Sequence, residues 1–407
     1  MISLFKIAIK SLWNRKISFF LIVFSMALSV MLFLTVEKIR DGAKEGFSSV
    51  ISQTDLIVGA RGSGMELLLY SVFHIGNPIH NVSWQTYNII KDNPAVKWTI
   101  PLSFGDSFFG FRVVATDLNF YEHYRFHGNK WIELKEGTLP KKIFDVVLGA
   151  DVAKKKNLKL GDRIELSHGV ADGPSIHHHS ENPFLVVAIL KETGTPVDRA
   201  LFISLEGTEA IHREASHRDE QFKVKELSAF LLGMRSRIGA LGMQRDINNY
   251  TKEPIMAIIP GVTLNQFWQI VDYIEVVFQL VSGLVVVIGL VGMMVSLYAA
   301  LDSRRREMAI LRAVGAGISS VVFLLVIESF IFGVLGCVLG YMLSYIAVFI
   351  VQPILLEKFG VFVPFLSVQL HEYYYLLLVL ILSCVLGLVP ARRAYKDSLT
   401  DGLNIKL

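Results

Sequence analysis

Arg304-Arg305-Arg306-Glu307-Met308-Ala309-Ile310-Leu311-Arg312-Ala313-Val314-Gly315-Ala316 is a short basic run set between two long apolar segments. Ala, Met, Leu, Glu and Arg are good helix formers, and Gly315 suits the position just past a helix end. Met308, Leu311 and Val314 recur every three residues, giving such a helix one apolar edge beside a basic one. Lys and Arg concentrate in the cytoplasmic loops of membrane proteins. A basic loop this short cannot fold alone, so it is expected to lie along the inner membrane face or to dock into a partner. Its apolar flanks then read as membrane spans.

Composition agrees. Of 407 residues, 52% are hydrophobic, and the mean hydropathy is +0.48. That is too apolar for an ordinary soluble protein, while a charged fraction of 19% leaves room for a polar domain. Cys337 and Cys384 both fall in apolar runs and read as packing residues, so no disulfide framework supports an exposed domain.

Working outward, residues 1–16 space Lys6, Lys10, Arg15 and Lys16 among Leu4, Phe5, Ile9, Leu12 and Trp13, the pattern of an amphipathic helix on the inner membrane surface. Ile17 to Val36 carries no charge and is long enough to cross a hydrocarbon core of ~30 Å. Glu37-Lys38-Ile39-Arg40 follows directly, which favours an uncleaved span over a signal peptide. Residues 37–272 hold no spanning segment and are expected to form an extracytoplasmic α+β domain with a helical stalk at each end. Its strand-like runs are Phe111–Ala115, Asp145–Leu148, Arg163–Leu166, Phe184–Leu190 and Ala200–Ser204. The Gly-rich turn after Leu56-Ile57-Val58 lacks the Gly-Lys-Ser/Thr ending of a phosphate loop.

The second span is expected at 276–301 and the basic loop at 302–317. The third span, 318–351, is stopped by Pro353, and 352–372 is a short outer connection. The fourth span, 373–389, ends at Pro390 and leaves a cytoplasmic tail, 390–407. Lys and Arg flank the inner end of every span, whereas 352–372 holds only Lys358. This distribution predicts four spans with both termini inside. The fold class expected is thus an α-helical membrane protein with four transmembrane helices and a large α+β domain inserted between spans 1 and 2.

The order of residues in the basic run resembles the coupling segment R-R-x-E-[IL]-[AG]-x-L-[RK]-A-[IVL]-G-A of MacB/FtsX-type (type VII) ABC transporter permeases. Asp55-Leu56-Ile57-Val58-Gly59-Ala60-Arg61-Gly62-Ser63 is similar to a signature of one branch of that family. Val147–Ala153 and Leu158–Ile164 resemble its V-L-G-x-x-[VL]-A and L-x-[LV]-G-D-x-[IV] elements. The closing Asp397-Ser398-Leu399-Thr400 resembles its D-P-[LI]-x-A-L ending, with Ser398 where proline is usual. The resemblance implies a MacB-like fold in a bacterial inner membrane, with the large domain periplasmic or extracellular. It implies a non-catalytic subunit that takes ATP only through a separate ABC ATPase and pairs with a second copy of itself. A periplasmic or outer-membrane protein is a further expected partner; nucleic acid is not one. Arg304, Arg305, Arg306, Glu307, Leu311, Arg312 and Gly315 would carry the ATPase contact. The implied function is transmission of ATP-driven motion to the outer domain for export or extraction of lipoproteins, peptides or drugs. The alternative is a regulatory relay that activates an outer-side partner, as division-type relatives do.

Three further sets of residues stand out. Glu328 lies inside the third apolar stretch, where a carboxylate costs several kcal/mol, about 2.5–3.5 for Asp on insertion scales. A pairing with Arg304–Arg306 or Arg312 is the expected resolution, since a proton relay needs further ionisable partners in the spans and none is evident. Gly333, Gly336 and Gly340 mark one side of the same stretch as a helix-packing face. His168, His177, His178 and His179 fall in one loop and could converge on Zn, although a solvated loop explains them as well. His123 and His127, one turn apart if helical, and His212 and His217 are the other clustered imidazoles. No Walker motif, nucleophile elbow or zincin motif is present.

Overall fold

The computed structural model describes residues 16–168, 183–211, 222–303, 317–359 and 369–400. They fall into two compact units, one within 1–42, 272–355 and 363–407, the other within 43–271 and 356–362. Four long helices, α1 (Lys16–Ser49), α2 (Pro260–Ser303), α3 (Ile318–Phe359) and α4 (Leu370–Thr400), supply the first unit. Each contains a stretch long and apolar enough to cross a membrane: Lys16–Lys44, Pro260–Ala299, Val322–Leu355 and Leu370–Arg393.

Two helix ends differ from expectation. The third helix runs through Pro353 to Phe359, and the fourth through Pro390 to Thr400. A proline inside a helix forfeits one backbone hydrogen bond, and membrane helices tolerate this because neighbours re-satisfy the freed carbonyl.

Apolar side chains face both ways in this unit. Val23, Met26, Val30 and Leu34 of α1 pack with Leu290, Met293 and Leu297 of α2, Phe332 of α3 and Val379 of α4. Outside, Ile288 is 68% exposed and Phe349 65%, as lipid-facing residues would be. Small residues set the seams. A Cβ on Gly340 would stand 2.7 Å from Val30 Cβ, and one on Gly336 2.8 Å from Met26 Cγ, so both glycines lie hard against α1. Between α3 and α4 the seam is reciprocal: Gly333 faces Ser383, and Gly387 faces Ser329. The Ser329 hydroxyl donates to Leu325 O (3.0 Å) and the Ser383 hydroxyl to Leu380 O (2.8 Å), each on its own helix.

The α+β unit is built on a sheet of eleven described strands. In chain order, with two short outlying pairs included, they are β1 (Leu56–Ala60), β2 (Val82–Ser83), β3 (Val96–Phe108), β4 (Phe111–Thr116), β5 (Arg125–Phe126), β6 (Lys130–Trp131), β7 (Leu134–Gly137) and β8 (Asp145–Leu148). Then follow β9 (Arg163–Ile164), β10 (Ser167–His168), β11 (Phe184–Leu190), β12 (Ala200–Ser204), β13 (Glu226–Leu227), β14 (Ala229–Met234) and β15 (Ile255–Ile258). The main path is β15-β1-β14-β3-β4-β12-β8-β11-β7. Both β12 on β4 and β11 on β8 are parallel; the other pairings on the path are antiparallel.

Alternation along the strands divides the core in two. Leu56, Val58, Val146, Leu148, Leu201, Ile203, Phe230 and Leu232 point to one cluster. Ile57, Val147, Ala200, Phe202, Ala229 and Leu231 point to the other. A sheet covered on both faces needs apolar residues at consecutive positions, which is why the strands read as unbroken runs such as Leu-Ile-Val and Ala-Phe-Leu-Leu. Helices Trp84–Lys91 and Arg237–Asn248 lie over the first face; Gly64–Val72 and Asn119–His123 lie over the second.

Strand β3 contains Pro101, which has no N–H for a ladder. It is tolerated because β3 pairs with β4 only from Ser103 onward. On that side the Pro101 carbonyl accepts instead from Thr116 Oγ1 (2.8 Å), and the Thr99 carbonyl from Asn119 Nδ2 (3.0 Å). The β3–β4 turn is Phe109-Gly110 with φ of 47° and 81°, the pair of positive values that a two-residue type I′ hairpin demands.

Candidate functional site

Where α1, α2, α3 and α4 carry residues 37–41, 275–279, 341–345 and 371–375, the helical unit buries a polar network. Lys38 Nζ donates to both oxygens of Glu372, at 2.7 and 2.8 Å, and neither residue is more than 8% exposed. The same ammonium lies 4.2 Å from the Tyr345 ring centroid and 5.3 Å from that of Tyr341. A buried ion pair needs such complete enclosure, because desolvating two charges costs several kcal/mol each before any contact is regained.

Two residues on, Arg40 bridges three carboxylates. It donates to Asp41 Oδ1 from Nε (3.0 Å) and Nη2 (2.7 Å), and to Glu275 Oε1 from Nη1 (2.6 Å). Its Nη1 also lies 2.7 Å from Glu37 Oε2. Gln279 Nε2 donates to Glu37 Oε1 at 3.3 Å and to Glu275 Oε1 at 3.2 Å. His371 Nε2 stands 3.0 Å from Asp41 Oδ2. The network thus draws on all four helices. At the far end of the bundle the Arg393 guanidinium covers the Tyr298 ring at 4.2 Å.

The α+β unit has a cavity of about 770 Å³ lined by Phe126, Trp131, His127, Lys191, Arg199 and the turn Thr193-Gly194-Thr195. Asp198 shapes that turn, accepting from the Thr193 and Gly194 N–H groups and the Thr193 hydroxyl. Burial pushes the Asp198 carboxyl up to about 6 against the pull of these donors. Near it, Arg112 donates to Asn77 Oδ1 (2.6 Å) and to the Gly76 carbonyl. Burial, with the Arg112 charge close by, lowers His74 to about 4.

The residues singled out from sequence are distributed as follows. Arg304, Arg305, Arg306, Glu307, Leu311, Arg312 and Gly315 lie outside the described residues, as do His177, His178, His179, His212 and His217. The His168 backbone ends β10 opposite Asp106, and its side chain is also outside them. Glu328 is fully buried in α3. Gly333 faces α4, while Gly336 and Gly340 face α1. His123 and His127 do not share a helix, because Asn119–His123 ends there and β5 follows. His123 stacks on Trp98 with ring centroids 5.3 Å apart, and His127 Nε2 is 3.2 Å from Thr193 O.

The ionisable members of the network at Glu37–Asp41 lie just outside the apolar segments expected as spans, and nothing in the sequence brings them together. Its members are as much as 334 residues apart, as in Lys38 and Glu372. The available signal was the i,i+4 spacing of Glu37 and Asp41, which sets both carboxylates on one face of a helix continuing from the first span.

Comparison with known proteins is consistent with this architecture. The MacB-like periplasmic core domain matches residues 18–228, and the FtsX-like permease C-terminal domain matches residues 280–399. No curated protein matches. Among solved structures, the extracellular domain of the noncanonic ABC-type transporter YknZ from Gram-positive bacteria is similar at 14% identity and a TM-score of 0.31. That alignment covers 50% of this chain and 98% of the other. Proteins of this kind are non-catalytic transmembrane components of ABC transporters, with an ATPase partner and dimerisation implied. With more than half its length matched by the first of these domains and its last third by the second, the chain belongs to the MacB/FtsX family of ABC transporter permeases.

Proposed function

We propose that the chain is the mechanotransmitting membrane subunit of an ABC system, in which a separate ATPase acts on the 304–315 segment and the motion reaches the α+β domain through α1 and α2. The observation that carries this is helix continuity. Each of α1 and α2 is one unbroken helix, from an apolar stretch of membrane length to a segment that belongs to the α+β unit. In that unit Phe47 of α1 meets Phe267 and Trp268 of α2 at centroid distances of 6.1 and 5.9 Å. A rigid helix transmits displacement along its length, and two that are clamped together move as a pair.

In this reading four spans cross a bacterial inner membrane with both termini inside, and the domain between spans 1 and 2 works on the outer side. The subunit acts as a homodimer on substrates such as lipoproteins, peptides or drugs, moved or extracted without passing through the spans. Pull-down of the tagged chain in mild detergent, beside an Arg306→Ala/Glu307→Ala chain, tests it. A nucleotide-binding partner should co-purify with the first and be lost or uncoupled in the second. A wild-type chain that brings down no ATPase rejects the reading.

A further inference from the structure

We infer that Glu37, Asp41 and His371 form a binding site for a first-row divalent transition cation of the zinc class, which would tie α1 to α4. One ligand atom from each residue lies within 4.8 Å of the other two. Glu37 and Asp41 are spaced i,i+4, so both project from one face of α1, and His371 meets them from the first turn of α4. The 3.0 Å between His371 Nε2 and Asp41 Oδ2 is about the separation of adjacent ligands around a metal bound at roughly 2.1 Å.

Each carboxylate is oriented as a ligand by what holds its second oxygen. Asp41 Oδ1 takes two hydrogen bonds from Arg40, leaving Oδ2 for the site. Glu37 Oε1 takes one from Gln279, leaving Oε2. Outer partners of this type fix the ligand atoms of metal sites. Glu37 Oε2 and His371 Nε2 are both shut off from solvent and make no hydrogen bond. Each has only an ionic neighbour, Arg40 Nη1 at 2.7 Å from Glu37 Oε2 and Asp41 Oδ2 at 3.0 Å from His371 Nε2, and a cation would supply the bond that each buried atom lacks. Arg40 Nη1 does approach Glu37 Oε2, but that contact lacks hydrogen-bond geometry. Arg40 can yield it and keep all its bonds to Asp41 and Glu275.

Charge points the same way. Lys38 and Glu372 pair with one another, while three carboxylates, Glu37, Asp41 and Glu275, face the single guanidinium of Arg40, an excess of two acidic groups. One divalent ion balances them. The imidazole nitrogen selects against Ca²⁺ and Mg²⁺, which take oxygen ligands, and favours Zn²⁺ and its neighbours.

The test needs no ATPase and stands apart from the coupling reading. Full-length chain without a polyhistidine tag is purified in detergent carrying His177→Ala, His178→Ala and His179→Ala, so that the loop does not report. Zn²⁺ is titrated by calorimetry, and Co²⁺ is followed by its visible absorption. The expected result is one site per chain, weakened at least about tenfold by Glu37→Gln and by His371→Ala, with loss of the Co²⁺ band. Should His371→Ala fail to fold, His371→Gln replaces it. No saturable binding in the triple-alanine chain, or binding unchanged in both variants, overturns the site.

Discussion

The two units differ in what they expose, although each encloses an apolar core and a few charged side chains. In the α+β unit, charge stays mostly at the surface and both faces of the sheet are apolar; Phe202 and Phe230 are wholly enclosed there. In the helical unit the outside is apolar too, and Lys38, Glu372, Glu37 and Glu328 are enclosed beside an apolar cluster of Met26, Val30, Leu34 and Phe332. Water supplies the driving force for the first arrangement, because removing apolar area from it is favourable. Lipid gives no such advantage to an apolar interior, so close small-residue seams and polar bonds hold helices together instead. The lesson is that equal degrees of burial in the two units do not mean equal energetics.

Substitutions can sharpen or break this contrast. The largest loss is expected in the sheet. Phe202→Ala leaves a cavity between β4, β8 and Phe120, whose ring lies 4.6 Å from that of Phe202, and should cost about 3–5 kcal/mol of α+β-unit stability in chemical unfolding. In the helical unit the expected pattern is a pair effect. Lys38→Met strands the Glu372 carboxylate and should cost about 3 kcal/mol, whereas Lys38→Met with Glu372→Leu should recover most of it. A double variant as unstable as the single one would mean that the ions are held for more than each other.

A third expectation concerns pH. His74 Nδ1 is sealed and without a hydrogen-bond partner, and the ring titrates near 4 when folded, below its ordinary 6.5. Its stabilising contribution is therefore complete above pH 6.5 and lost as pH falls towards 4, because the unfolded chain takes the proton first. The residue as a whole is only half-buried, so the loss between pH 7 and 5 should reach no more than about 2 kcal/mol. His74→Asn should flatten the profile; an equally steep profile in that variant assigns the slope elsewhere. The smallest effect belongs to the surface. Lys191 and Glu133 form an exposed ion pair across the cavity rim, and Glu133→Gln should leave the unfolding midpoint unchanged at physiological salt.

Sequence made the four long apolar helices legible because a membrane demands a length and a composition that few other structures need. The strands at 145–148, 184–190 and 200–204 were legible for a related reason, as short apolar runs between turn residues. Strand β3 was not, since Pro101 and Gly105 break its pattern and the compensating donors, Thr116 and Asn119, act only in the folded chain. Pro353 and Pro390 misled in the other direction, because the rule that proline ends a helix weakens where neighbouring helices shelter the freed carbonyl. The ion network was hidden by distance along the chain: Asp41 and His371 belong to different apolar segments, and no local spacing announces that they meet.

The reciprocal serine–glycine seam between α3 and α4 has a mechanical meaning. Its hydroxyls spend their hydrogen bonds on Leu325 and Leu380 of their own helices, so these serine bonds do not stitch one helix to the other. Sliding α4 along α3 would not break them; it would meet the shape of the glycine notches and the weak Cys337 Sγ–Leu376 O contact at 3.8 Å. A seam of that kind behaves like a dry sliding bearing, indexed by the helical pitch.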